Sequence, residues 1–285
     1  MTDRRRFVAG LLVLATLLAA CSVRAVSEVP PATSDATPVT ALSTPAGARD
    51  AAAFERRRAA VAVATPIPSA APVPVPPQPF ALNLFEDGDF VPQYTFDWCV
   101  AASIQIAHNL VMPNNRAARD DQGQLWEMAR ARSSNSYNGA NPLGWAQVLN
   151  EVGLGPYVVV SIPDYDEALR SAAAAIRETG RPVGLVMWRG RHAWVMSGFE
   201  SVGDPSSHDD FSITGIRVLD PLYPYGSGTW GPSPSPNSLL TPAELAKQFV
   251  VREPRRWSSG FPTGYLMVIP VSDAVAIAPP RLLPT

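Results

Sequence analysis

Gln93-Tyr94-Thr95-Phe96-Asp97-Trp98-Cys99-Val100-Ala101-Ala102-Ser103 decides how the rest of the chain is read. After Trp98, residues Val100, Ala101, Ala102, Ile104, Ile106, Ala107, Leu110 and Val111 are apolar and cover nearly the whole circumference of a helix. A helix apolar almost all round lies inside a core. Asp97 suits its N-cap, and Pro113 follows its end. Cys99 then falls in the first turn of a central helix, with a carboxamide, Gln93, six residues before it. Cys99 is either a small buried apolar residue or a nucleophile, and the remaining sequence has to choose.

The chain has two cysteines, Cys21 and Cys99, and a disulfide is the first expectation for an exported protein. The N-terminus argues otherwise. Arg4, Arg5 and Arg6 precede an apolar run from Phe7 to Ala20, too short to span a bilayer comfortably and closed by small residues. This is the pattern of a secretory signal over residues 1–20. Leu18-Ala19-Ala20-Cys21 resembles the bacterial lipobox, which implies cleavage before Cys21 and lipid on its sulfur. Arg4-Arg5-Arg6-Phe7-Val8 also carries a fainter likeness to a twin-arginine signal. A lipidated Cys21 leaves Cys99 as a lone thiol in an exported protein, which flags it as reactive.

Residues 21–78 are rich in Ala, Pro, Thr, Ser and Val, and many of the 30 prolines lie here. Such a segment forms extended polyproline geometry and acts as a tether. It is expected to hold a folded domain, residues 79–271, away from the membrane; residues 272–285 read as a loose tail. Net charge is −2 and basic runs are short, so nothing points to nucleic acid as a partner.

Within the domain the pattern predicts helices over 122–132, from Pro142 to about Val152 with Asn141 as N-cap, and from Asp164 to Thr179 ahead of Gly180. Strands are expected at Tyr157 to Ser161, Val183 to Trp188, His192 to Phe199, Ile213 to Leu219 and Tyr265 to Val271. Thr241-Pro242-Ala243-Glu244 is a capping box opening a helix to about Val250. Helices first and an antiparallel sheet second make an α+β fold.

His192 begins one strand and Asp220 ends its neighbour. A hairpin centred on the polar loop 201–210 sets Asp220 opposite residue 191, beside His192. A carboxylate there accepts the imidazole N–H and fixes its tautomer. A helix start favours an anion, and an adjacent imidazolium favours a thiolate further. Such a pair attacks an acyl carbon. The backbone N–H of Cys99 and the Gln93 amide are then the expected oxyanion donors.

These islands resemble the papain-like cysteine peptidases, most closely their bacterial branches: bacteriocin-processing-type peptidases, staphopains and plant-pathogen effector peptidases. Gln93 and Asp97-Trp98-Cys99-Val100-Ala101-Ala102-Ser103 carry the likeness at the nucleophile. Arg191-His192-Ala193-Trp194-Val195-Met196-Ser197-Gly198-Phe199 resembles the family's Gly-His-Ala-x-Val-x-x-Gly-Tyr segment, and Val218-Leu219-Asp220-Pro221 its strand-ending Asp-Pro. The resemblance implies a papain-like fold, with a helical half whose buried helix carries Cys99 and a sheet carrying His192 and Asp220. It implies Cys99 as nucleophile, His192 as general base and acid, Asp220 as orienter and Gln93 as oxyanion donor. Val100 and Arg191 depart from the family, where Gly or Trp follows the nucleophile and Gly precedes the histidine.

The expected protein is a monomeric cysteine hydrolase cleaving peptide bonds, anchored by Cys21 to the outer face of a bacterial membrane, with no cofactor or metal. A catalytically silent binding lipoprotein on the same fold and a transglutaminase-like or cell-wall amidase enzyme are the rivals. Trp98, Trp188 and Trp194 are candidates for lining the substrate cleft or shielding the Cys–His pair, although core packing accounts for any of them equally well. His108 reads as a structural histidine. His208 with Asp204, Asp209 and Asp210 has no distinctive metal-ligand spacing.

Overall fold

The computed structural model describes residues 76–133, 139–252 and 260–272. The chain divides into two units, residues 1–71 and 72–285, and every described residue belongs to the second. The signal segment, Cys21, the tether to residue 75 and the tail from residue 273 lie outside the described residues. Among the described residues, no helix is long and apolar enough to cross a membrane.

The fold is α+β. Among the described residues five helices follow one another: α1 (Cys99–Val111), α2 (Arg119–Ala131), α3 (Pro142–Glu151), α4 (Tyr165–Thr179) and the single-turn α5 (Pro242–Leu245). Strands β1 (Pro79–Asn83), β2 (Tyr157–Ile162), β3 (Val183–Met187), β4 (His192–Val202), β5 (Ser212–Leu219), β8 (Ser238–Leu240) and β9 (Tyr265–Pro270) form one sheet. Its order is β2-β9-β3-β4-β5-β8, with all pairs antiparallel. Two short strands between β5 and β8, β6 (Gly226–Ser227) and β7 (Gly231–Pro232), pair as a separate ribbon.

β4 is the spine of the sheet. Its first half pairs with β3, from Met187↔His192 to Val183↔Met196, and β1 takes the same edge further along, from Asn83↔Gly198 to Pro79↔Val202. The changeover lies at Gly198, where an added Cβ would run into the Leu82 carbonyl. Strands β3 and β4 are buried almost without interruption, which explains their unbroken apolar sequences. Successive side chains go to opposite faces. Ala193 and Val186 pack with α1, α2 and α3, while Trp194, Leu185 and Met196 pack with α4. The sheet is therefore covered by helices on both sides. The expected order of helices and then sheet is corrected at one point, since β1 enters before any of these helices; β2 lies between α3 and α4, where the sequence places a strand. β1 is five residues long, Pro-Phe-Ala-Leu-Asn, and its positions alternate between exposed and half-buried, so it shows no apolar/polar alternation in sequence.

Helix α1 is buried on every side from Val100 to Ala107, as the apolar run predicts. Its polar residues are internal and each has a task. Ser103 Oγ donates to the Ala193 carbonyl at 3.5 Å. Asn109 donates to the carbonyls of Asp89 and Arg116 and accepts from the Arg116 N–H. Gln105 meets Gln122 of α2 at 2.8 Å. Gln122, fully buried, also donates to the Pro92 carbonyl and accepts from the Tyr94 N–H. These amides stand in for the partners that a buried loop backbone lacks, and fix the segment leading into α1.

Several boundaries shift. Helix α2 begins at Arg119, not residue 122, and α5 ends at Leu245 with only turns continuing towards residue 250. Asn141 caps α3, Asp164 caps α4, Gly180 closes α4 in a left-handed conformation, and Thr241–Glu244 forms the capping box, all as the sequence predicts.

Candidate active site

Cys99 is the first residue of α1 and is half-buried. The expected Asp97 cap is not formed. Trp98 holds the N-cap position, no side chain caps the helix, and Asp97 is exposed. The conformation of Trp98, with φ −93° and ψ 20°, lies outside the extended region in which a capping residue normally reaches back. The first-turn N–H groups are thereby left without a side-chain acceptor, and Cys99 stands among them.

His192 opens β4 and Asp220 directly follows β5. Their expected alignment is corrected. Val195 pairs with Leu219, so Asp220 falls level with Trp194, two residues along β4 from His192. Both strands run further into the intervening loop than the sequence suggests, and two irregularities interrupt the register, between Met196 and Gly198 and between Glu200 and Ser201. A two-residue offset keeps residues on one face, within reach of long side chains. His192 Nε2–H accordingly donates to Asp220 Oδ1 at 2.6 Å, with both side chains buried. The same oxygen accepts from the Leu222 N–H at 2.9 Å, a turn that the Asp-Pro dipeptide foreshadows. Asp220 Oδ2 is buried and has no hydrogen-bond partner among the described residues.

Two ties bring the third group to this pair. The Ser103–Ala193 bond joins the first turns of α1 to the residue after His192. The Gln93 N–H donates to the Pro221 carbonyl at 2.8 Å, joining the loop before α1 to the residue after Asp220. The thiol of Cys99 lies close enough to the His192 ring to favour its charged form. With Nε2 committed to Asp220, Nδ1 is the nitrogen left for the sulfur. Burial of the imidazole opposes its charged form. The hydrogen bonds to Asp220 and Cys99 and the charges of both overcome that, and His192 is pushed up to about 9. An imidazolium persisting above neutral pH is the partner a thiolate needs.

The side chain of Gln93 is placed differently from its expected role. Its Nε2 donates to the carbonyls of Thr95 at 3.0 Å and Phe96 at 2.8 Å, which uses both N–H bonds, while Oε1 is buried and has no hydrogen-bond partner among the described residues. The amide braces the loop in front of α1, and serving an oxyanion would require it to turn.

The three tryptophans separate. Trp194 is 0% exposed and packs in the core with α4, so it does not line a cleft. Trp98 packs on Trp126 with ring centroids 6.4 Å apart, carries the Arg119 guanidinium over its face, and borders an open depression with Gly123, Gln124 and Met128. Trp188 stacks on His192, centroids 4.1 Å apart and planes 26° from parallel. Its indole N–H donates to Gln248 Oε1 at 2.8 Å. Gln248 was not legible as a site residue, because 56 residues of sequence and four strands separate it from the His192 segment it serves.

Elsewhere, His108 is held below its ordinary value by burial and by Arg116, in keeping with a structural residue. Asp204 is taken up by Arg177, whose Nε and Nη2 each donate at 2.9 Å. Among the described residues, no group of three or more His, Cys, Asp or Glu side chains is disposed to hold a metal ion.

Comparison of the chain with protein-family models, with curated proteins and with solved structures gives no match.

Proposed function

We propose that this chain is a papain-like cysteine hydrolase that cleaves amide bonds, peptide bonds above all, outside the cytoplasm while anchored to a membrane through a lipidated Cys21. The observation that carries the reading is the His192–Asp220 hydrogen bond, 2.6 Å long and fully buried, on a ring that also meets Cys99 at a helix start.

The chemistry follows from those three groups. The thiolate of Cys99 attacks the substrate carbonyl carbon, an S–C bond forms, and negative charge moves to the carbonyl oxygen. The Cys99 N–H, one of the uncapped donors of α1, is suited to receive that charge. Imidazolium His192 gives its Nδ1 proton to the leaving amine as the C–N bond breaks. Water then attacks the thioester, His192 takes its proton, and the thiolate departs with the acid product. Asp220 holds the ring in one tautomer throughout.

The orientation of Gln93 favours a second reading, a silent binding protein on the same fold, since its amide is spent on loop carbonyls. An epoxide warhead decides between them. The hydrolase is expected to lose turnover of a p-nitrophenyl ester, a substrate indifferent to sequence preference, in step with one covalent adduct that mass spectrometry maps to Cys99. Absence of both turnover and adduct in folded protein would leave the binding reading.

A further inference from the structure

We propose that Gln248 is a positioning residue for His192: it fixes the Trp188 indole flat against the imidazole and so keeps that ring dry and aimed at Asp220 and Cys99. The inference rests on the hydrolase reading above.

The turn between β3 and β4 explains why Trp188 needs holding. Trp188, Arg189 and Gly190 have φ of +55°, +57° and +90° in succession. The left-handed region is unfavourable for a bulky side chain such as indole. Trp188 nevertheless occupies it and is 8% exposed. Gln248 grips it at two points. The Trp188 N–H donates to the Gln248 carbonyl at 3.0 Å, and the indole Nε1–H donates to Gln248 Oε1 at 2.8 Å.

Gln248 is itself fixed. It lies between Leu245 and Phe249, both 0% exposed, and its N–H donates to the Leu245 carbonyl. Its Nε2 donates to the Pro232 carbonyl at 3.3 Å, tying the same side chain to the ribbon of β6 and β7. One amide thus orients the indole, and the indole covers one face of the imidazole. The groups that face His192 and respond to charge are Asp220 at the end of β5 and Cys99 at the start of α1. Both act more strongly where water is excluded. Loosening Trp188 admits water, which relieves the burial that opposes the charged ring but weakens both interactions that favour it, and since those interactions outweigh burial in the closed site the ring returns towards its ordinary behaviour.

The test uses Gln248→Leu, Gln248→Glu, Trp188→Phe and the double variant Gln248→Leu/Trp188→Phe in the folded chain, with circular dichroism as the check on structure. The chain has three histidines, so NMR titration of the imidazole signals isolates His192. Gln248→Leu is expected to lower the His192 pKa by about one unit and kcat on a p-nitrophenyl ester by about tenfold, with KM little changed. Gln248→Glu keeps an acceptor oxygen for the indole N–H while losing the donor to Pro232 and adding a negative charge, so its His192 pKa is expected not to fall below that of the wild type. Trp188→Phe removes that N–H together with part of the ring surface that covers the imidazole, and should lower the His192 pKa at least as far as Gln248→Leu does. The double variant should be no worse than either single one. If Gln248→Leu fails to fold, the Trp188→Phe titration decides alone. A His192 titration unmoved by these substitutions, or independent additive losses, overturns the inference while the hydrolase reading stands. A wild-type protein that neither hydrolyses the ester nor shows an elevated His192 overturns the hydrolase reading and this inference together.

Discussion

Cys99→Ser is expected to reduce hydrolysis of a p-nitrophenyl ester by on the order of 10⁴-fold, and Cys99→Ala by at least as much, with the fold intact. The argument is chemical and steric together. Serine preserves the size of the side chain and its capacity to hydrogen-bond, so a residue that only packs would tolerate it. Cys99 is half-buried at the first position of α1, with no side chain capping the helix, and its neighbours Val100 and Ala101 carry the packing. What serine lacks is a readily formed anion to pair with His192. Kinetics and a urea melt on each variant separate the two roles. Retained turnover in Cys99→Ala would remove Cys99 from the chemistry, and a large stability loss with unchanged turnover per folded molecule would return it to the core.

Asp220→Ala is expected to lower kcat by on the order of 10²- to 10³-fold, and to move the His192 titration down from about 9 towards the ordinary histidine value. Asp220 Oδ1 receives both the imidazole Nε2–H and the Leu222 N–H, so its loss frees the ring and unpairs a buried backbone donor. Asp220→Asn separates geometry from charge. Its amide oxygen still accepts from both partners, so kcat should stay within about tenfold of wild type while the His192 pKa still falls. Stopped-flow acylation rates and NMR titration read the two effects independently. Equal damage by Asn and Ala would mean that the negative charge, and not the orientation, is what the ring requires.

How much of this was legible in the sequence depended on the range of the interaction. Local signals held. The all-round apolar run of α1, the Asn141 and Asp164 caps, the left-handed Gly180 and the Thr241–Glu244 capping box each rest on contacts within a few residues. The pairing of β4 with β5 was foreseen, but its register was not, because the irregularities at residues 196–198 and 200–201 depend on packing with the rest of the sheet. His192 and Asp220 still meet because they stand at adjoining ends of two paired strands, the one opening β4 and the other just after β5, within reach of each other's side chains. Trp194 looked like a cleft residue by its closeness to His192, yet it faces the α4 side of the sheet. The strand β1 and the Gln248–Trp188 contact are formed across long stretches of chain. No local pattern encodes them.

The central claim is that Cys99 and His192 share one proton as a reactive pair, and the rate of Cys99 alkylation by iodoacetamide across pH 5 to 9 tests it most directly. Asp220 and Cys99 hold His192 up to about 9, so the ring keeps a positive charge beside the sulfur through most of this range, and such a neighbour favours a thiolate. At pH 6 the folded protein should react at least about tenfold faster than glutathione, with little change up to pH 8, and His192→Asn should abolish the excess. A rate that climbs tenfold per pH unit towards the ordinary thiol range near 8.5, unaltered by His192→Asn, would contradict it.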